Sequence, residues 1–336
     1  MKNQISLLDS HFPVMSREVV KICSPTKGGV YIDCTFGGGG YTKKILKISD
    51  TKVIALDRDK HILHLAKEIE KKYPSRFNFY QKKFSEVNTV SLTKKVDAII
   101  FDLGLSSIQL NNFKRGFSFK SKESLDMSMG LSSISAEEVI NEYSEQTLKL
   151  IIKFLGEEKE ASRIVKNIIK ARSMKKITKV DQLVEIIEKS KKKNYKKKIN
   201  PCTKTFQALR IFVNKEVTEL INGIVNGVKI LKPGGKILVI SFHSIEDKVV
   251  KYFFSNYSSN RSKPSRYVPY NHSTNISLFE DYKNKILKPS NEEISQNSPS
   301  SSAKLRYAIR NKNEFIFPEK LIVKFKKYLD LENSYA

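Results

Sequence analysis

The sequence predicts an α/β fold: an open, mostly parallel Rossmann-like sheet interrupted by a helical insert. Three observations carry that expectation. First, Val30-Tyr31-Ile32-Asp33-Cys34-Thr35-Phe36-Gly37-Gly38-Gly39-Gly40-Tyr41 joins an apolar run to a glycine turn, and residues 42–48 continue at helical spacing. Strand, glycine loop and helix make the phosphate- or nucleoside-binding corner of doubly wound sheets. Second, near-continuous apolar runs at 53–56, 96–101 and 236–240 suit strands buried on both faces and alternate with helical segments. Third, the alternation stops between about 111 and 200, where the pattern is helical throughout.

The elements follow in order. Residues 17–22 read as a helix capped by Ser16, and Pro25, Gly28 and Gly29 break it before the first strand. The loop glycines are expected to let the backbone approach a ligand where a Cβ would clash. Strand 52–57 ends in Asp57, at the spacing where a carboxylate binds a ribose hydroxyl. Residues 61–72 form a helix with Ile62, Leu65, Ala66 and Ile69 on one side. Strand 77–80 follows, with Phe84 in the loop beyond, and strand 96–101 runs into Asp102. Helices are expected at 135–143, 146–154, 157–172 and 180–190, with Ser135, Ser144 and Thr178 as caps. The lysine-rich run 189–198 is too charged to pack and reads as a solvated loop or helix end.

Residues 205–230 read as one long helix, 232–235 as a turn, and 236–240 as a fifth strand with His243 just beyond it. Helix 245–254 comes next. Residues 255–302 are loop-dominated with one strand around 276–279, and 303–310 alternates as a last strand. The domain expectation is a sheet domain in two parts (1–110 and 201–317), a helical insert for RNA recognition (111–200) and a tail (318–336).

The 336 residues carry 61 Lys+Arg against 35 Asp+Glu, a formal net charge of +26, which favours a polyanionic partner, most simply nucleic acid. Cys23, Cys34 and Cys202 have no paired spacing, so neither a disulfide framework nor a metal site is expected. No membrane-spanning run or signal-peptide pattern is visible, and a cytoplasmic protein is expected. The glycine loop alone fits either NAD or S-adenosylmethionine. It lacks the third residue of the G-x-G-x-x-G fingerprint. Asp33 ahead of it would repel a pyrophosphate but suits a sulfonium and an ammonium, which favours S-adenosylmethionine.

Several stretches together resemble one family, the bacterial S-adenosylmethionine-dependent 16S ribosomal RNA (cytosine-N4-)methyltransferases. They are residues 11–14, 33–41, 102–110 (DLGLSSIQL), 115–119 (RGFSF), 125–129, 203–214 (TKTFQALRIFVN), 233–235, 241–248 (SFHSIEDK) and 302–306. The chain departs from the family pattern at Tyr41 and Asn200, where His is usual, and at Ser128, where Arg is usual. It also lacks the arginines of the segment replaced by 297–301.

The resemblance implies a class I S-adenosylmethionine-dependent methyltransferase fold and transfer of a methyl group to the N4 amine of a decoding-centre cytidine. The implied partner is 16S rRNA in the 30S subunit, with no metal and no membrane. Monomer and homodimer both stay open. Gly39, Gly40, Tyr41, Asp57, Phe84, Asp102 and Gln109 are implied cofactor contacts. Asp102 and His243 are the candidate catalytic residues; Ser241, Glu246 and Asp247 share the same strand end. Arg115, Phe117, Lys204 and Arg210 are candidate RNA contacts. Two alternatives are an amino-methyltransferase acting on another RNA or DNA, and a non-catalytic RNA-binding assembly factor. The first is disfavoured because the usual Asp/Asn/Ser-Pro-Pro-aromatic tetrapeptide is missing after the fourth strand.

Overall fold

The computed structural model describes residues 13–90, 95–191, 200–260 and 277–333. In chain order come α1 (Ser16–Cys23), β1 (Val30–Asp33), α2 (Gly40–Leu46), β2 (Lys52–Asp57), α3 (Leu63–Lys72), β3 (Phe77–Gln81), β4 (Val96–Asp102) and α4 (Ser107–Asn111). Next are α5 (Ala136–Glu142), α6 (Glu145–Phe154), α7 (Ala161–Met174), α8 (Val180–Ser190), α9 (Thr203–Asn214) and α10 (Glu216–Ile230). The chain closes with β5 (Leu231–Ser241), α11 (Ser244–Asn256), α12 (Asn291–Gln296), β6 (Lys304–Ile309) and α13 (Glu319–Asn333). Among the described residues no helix is long and apolar enough to cross a membrane.

The chain divides into two compact units: Met1–Gly104 with Glu219–Phe325, and Leu105–Thr218 with Lys326–Ala336. The first holds a six-stranded sheet in the order β3-β2-β1-β4-β5-β6. All neighbours run parallel except β6, which is antiparallel to β5. Its central strands are buried on both faces, which is why they read as unbroken apolar runs: Ile32, Val53, Ile99, Ile100, Leu238 and Val239 have no exposed surface. The expected turn at 232–235 lies inside β5, because Leu231 pairs with Val96 while Lys236 pairs with Ala98. The residues between them loop out of the ladder, with Gly234 at φ 77°.

The second unit is helical. Leu148, Ile151 and Ile152 of α6, Ile164, Val165 and Ile168 of α7, and Leu183 and Ile187 of α8 recur at helical spacing and are fully buried. Ser135 and Ser144 cap α5 and α6 as expected, each accepting an N–H three residues on. At α8 the N-cap position falls on Lys179 rather than Thr178, and at α1 it falls on Met15 rather than Ser16.

The helix expected at 205–230 is two helices. Lys215 closes α9 in the left-handed conformation at φ 50°, and α10 begins at the next residue. Asn214 pins this break: its Oδ1 accepts from Met129 N and Ser132 Oγ, and its Nδ2 donates to Met127 O. Helix α9 packs on α5 and α6, so it falls in the helical unit and not, as expected, in the second part of the sheet domain. Its aromatics explain this. Phe206 meets Phe119 and Phe212 meets Tyr143, both edge to face. The 276–279 expectation reduces, within the described residues, to isolated bridges from Phe279 to Ser258 and Arg310; Ile276 lies outside them.

Candidate active site

Three adjacent strands end in carboxylates: β1 in Asp33, β2 in Asp57 and β4 in Asp102. The strand order reverses between β1 and β4, the switch point where open α/β sheets bind their ligands. Asp33 is fully buried, accepting from Thr42 Oγ1 at 2.8 Å and Thr35 N at 3.4 Å. Burial pushes its carboxyl up to about 6, and those hydrogen bonds only partly oppose the rise. Asp57 accepts from Gly37 N at 2.8 Å and Asp59 N at 2.9 Å, so it holds the glycine turn in place. Burial also pushes Asp57 up to about 6.

Asp102 has the most perturbed environment. Its backbone N–H donates to Thr35 Oγ1 at 2.7 Å, and its Oδ2 lies 2.9 Å from the Tyr41 hydroxyl. Its Oδ1 is buried and has no hydrogen-bond partner among the described residues. Burial drives the carboxyl up to about 8; the Tyr41 hydrogen bond opposes this, and Asp33, Glu246 and Glu293 add to it.

The glycine loop is also constrained by its own packing. Gly39 sits at φ 72°, and a Cβ there would meet Ile69 Cδ1 at 2.7 Å and the Phe36 ring at 2.9 Å. A Cβ on Gly40 would meet the Pro13 ring at 2.7–2.9 Å. Both glycines are therefore required by the loop's own packing. Tyr41 likewise points into the protein. It is 3% exposed, and its hydroxyl lies 2.6 Å from Val14 O and 2.9 Å from Asp102 Oδ2.

The MraW methylase family matches residues 9–311. The chain is 41% identical over 304 residues to the ribosomal RNA small subunit methyltransferase H of Ehrlichia canis (strain Jake), covering 89% of this chain and 99% of that one. It is also 41% identical over 304 residues to the protein of that name from Rickettsia africae (strain ESF-5), with 90% and 98% covered. Identity to the Brucella ovis protein of that name is 39% over 308 residues, with 90% and 88% covered. The chain belongs to the MraW methylase family.

As a family member it has the class I S-adenosylmethionine-dependent methyltransferase fold and uses S-adenosylmethionine. The residues present fit that cofactor. A bare buried carboxylate oxygen on Asp102 suits an ammonium donor, and Asp33 ahead of the glycine loop disfavours a pyrophosphate. This removes the NAD alternative.

Other expected site residues take these places. Phe84 is half-buried, edge-on to Phe101 of β4 at 5.6 Å and against Gly223 of α10. His243 holds the N-cap position of α11; its side chain is 7% exposed and Nε2 lies 3.1 Å from Glu246 Oε1. Both ring nitrogens are buried, and among the described residues neither has a partner in hydrogen-bond geometry, the Glu246 approach included. Glu246 Oε2 accepts from the N–H groups of Phe242 and His243. Asp247 is committed to Arg306 Nε at 2.7 Å and Lys304 Nζ at 3.3 Å. Burial pushes Asp247 up, but that pairing outweighs it and holds the carboxyl below its usual range. Ser241 is buried, its hydroxyl 3.4 Å from Lys304 O. Ser241 and Asp247 thus serve the packing of β5, α11 and β6.

In the helical unit Gln109 forms a reciprocal cap, its Oε1 accepting from Ser106 N at 3.0 Å. The four residues expected to meet RNA are all engaged within their own unit. Arg115 is 8% exposed, donates to Ser128 O at 2.9 Å and stacks 5.2 Å from the centre of the buried Phe117 ring. Lys204 donates to Glu157 O at 2.7 Å, and Arg210 makes a two-pronged pair with Glu216 at 2.8 and 2.9 Å. A guanidinium already forked onto a carboxylate is not free to fork onto a phosphate, which weighs against Arg210.

What sequence reading missed is the outer face of α7. Lys166 and Lys170 stand one turn apart and exposed, and no acid pairs with either among the described residues. Their i, i+4 spacing was the available signal. The 189–198 lysine run lies largely outside the described residues; Lys191 is tied to Glu158 at 2.5 Å and to the Pro201 carbonyl.

Proposed function

We propose that this chain transfers a methyl group to the exocyclic N4 amine of a decoding-centre cytidine in 16S rRNA, acting on the 30S subunit in the cytoplasm. The observation that carries the chemistry is the bare, buried Oδ1 of Asp102 at the switch point. The relatives named as small-subunit rRNA methyltransferases support the substrate.

An exocyclic cytosine amine is a poor nucleophile, because its lone pair is delocalised into the ring. Catalysis therefore rests on placement and on acceptors for its N–H bonds. S-adenosylmethionine, when bound, supplies the electrophilic methyl on its sulfonium. Asp57 would accept from a ribose hydroxyl, with the carboxylate held for that role by Gly37 N and Asp59 N. Phe84 would offer the adenine a ring face, and the backbone of residues 37–40 would line the nucleoside. Asp102 Oδ1 would accept an N–H from a ligand nitrogen. His243, a buried imidazole whose ring nitrogens have no hydrogen-bond partner among the described residues, would take the proton the amine sheds.

Lys166 and Lys170 would hold RNA phosphates. Like charges at i, i+4 cost a helix a few tenths of a kcal/mol, a cost that phosphate contact would offset.

The experiment is to incubate the chain with methyl-labelled S-adenosylmethionine and, separately, 30S subunits, naked rRNA and DNA, then digest to nucleosides. Label in N4-methylcytidine from 30S RNA supports the proposal. Label in DNA or in another base defeats the substrate assignment, and no label anywhere points to an assembly factor.

A further inference from the structure

Tyr41 stands on the first turn of α2 with its ring buried, and its hydroxyl faces two acceptors: Val14 O at 2.6 Å and Asp102 Oδ2 at 2.9 Å. A phenol carries one proton. The shorter contact is to a backbone carbonyl, which can only accept. With the phenolic proton on Val14 O, the contact to Asp102 needs a proton from the carboxyl side. A protonated Asp102 supplies it, donating from Oδ2 to the Tyr41 oxygen.

The other carboxyl oxygen points the same way. Oδ1 is buried without a partner among the described residues, which costs far more for an ionised carboxylate than for the carbonyl oxygen of an acid. The groups acting on Asp102 are Tyr41 of α2, Asp33 at the end of β1, Glu246 of α11 and Glu293 of α12. The last three are carboxylates, and each disfavours a further negative charge. Burial together with them raises the acid to about 8.

We propose that Tyr41 is a positioning residue for Asp102: its oxygen receives the proton of the acid that burial and the neighbouring carboxylates favour, and when a cationic ligand nitrogen reaches Oδ1 it turns its own proton from Val14 O onto Oδ2 to hold the carboxylate. The balance is simple. Asp102 gives one proton to solvent, the incoming ammonium supplies one positive charge, and the phenol keeps its proton throughout. Tyr41 thus acts on the cofactor through Asp102 and not by touching it. This assignment rests on Asp102 receiving the cofactor's ammonium and is independent of which nucleic acid is methylated.

Calorimetric titration of the full chain with S-adenosylhomocysteine tests it, because that ligand carries the ammonium and no RNA enters the assay. Titrations run in buffers of different ionisation enthalpy from about pH 6 to about pH 8.5. The wild type should release close to one proton per ligand at the acid end, and the release should fade as pH passes about 8. Its affinity should rise about tenfold per pH unit below that midpoint.

Tyr41→Phe removes the donor that stabilises the carboxylate. Its midpoint should move up by about one unit, so affinity at neutral pH falls roughly tenfold and recovers as pH is raised. Asp102→Asn should bind without releasing a proton. Two results overturn the assignment: no proton release by the wild type below the midpoint, or a Tyr41→Phe loss of equal size at every pH, which is what a merely structural tyrosine would give. A wrong choice of RNA target would leave both readouts unchanged and would appear only in the nucleoside assay.

Discussion

Two glycines one turn apart on α10 should respond in opposite directions to the same change. Alanine is favoured over glycine in a helix by about 1 kcal/mol, so both substitutions start with the same gain. At Gly227 the new Cβ would lie 3.4 Å from Ile99 Cδ1 and 3.5 Å from Phe101 Cζ, ordinary packing contacts. Gly227→Ala should therefore stabilise the protein by about 1 kcal/mol. At Gly223 the Cβ would lie 2.6 Å from Phe84 Cδ2, 3.0 Å from its Cε2 and 3.2 Å from Phe101 Cε1. Overpacking of that kind costs about 1–3 kcal/mol, leaving Gly223→Ala about 1 kcal/mol less stable than wild type. At roughly 2–4 °C per kcal/mol, melting temperatures of the two variants should differ by about 4–8 °C. Phe84 is the softer neighbour and should swing away, weakening S-adenosylhomocysteine binding several-fold in Gly223→Ala alone. Equal melting temperatures with equal ligand affinity would refute the reasoning, since they would mean that α10 does not fix the Phe84 ring.

Further expectations concern acid, ion-pair and RNA-facing groups. Asp102→Asn should lower methyl transfer by at least about a hundredfold, read by labelled-methyl kinetics with the best substrate; near wild-type turnover would remove Asp102 from the chemistry. Glu332 accepts from Val217 N, Thr218 N and Thr218 Oγ1, and burial pushes it up to about 8. Its folded value exceeds the unfolded one, so its contribution is full below about pH 4 and is lost as pH rises through about 8. The melting temperature should accordingly fall between about pH 4 and about pH 8, and Glu332→Gln should flatten that fall; an unchanged slope contradicts the assignment. Arg306 is buried between Asp247, Tyr282 and Asn284, and Arg306→Ala should cost about 3 kcal/mol by denaturant titration, against under 1 for an exposed pair. Lys166→Glu with Lys170→Glu should weaken 30S RNA binding and flatten its salt dependence by one to two units of logarithmic slope, with ligand affinity unchanged.

Much of the sheet was legible because burial on both faces leaves a simple trace: apolar runs closed by Asp33, Asp57 and Asp102. The helices of the second unit were legible from their 3.6-residue stripes and from serine caps. The break at Lys215 was not, because no glycine marks it. A left-handed lysine is held there by tertiary bonds to Asn214 from a segment some eighty residues away. The loop glycines were legible as necessary, but their packing gives a further reason that was not. Their neighbours Pro13, Phe36 and Ile69 come from separate elements whose approach a linear pattern does not encode. The same limit applied to Arg115 and Arg210. Residue type advertised phosphate binding, while Ser128 O, the Phe117 ring and Glu216 had already claimed both guanidiniums.

The most direct test of the account is nucleoside mass spectrometry of small-subunit RNA from a bacterial host lacking its own enzyme of this family, complemented with this chain. The wild type should produce N4-methylated cytidine at a single decoding-centre position, and Asp102→Ala should produce none. Methylation on another base, on another atom of cytidine, or equally with the Asp102 variant would contradict it.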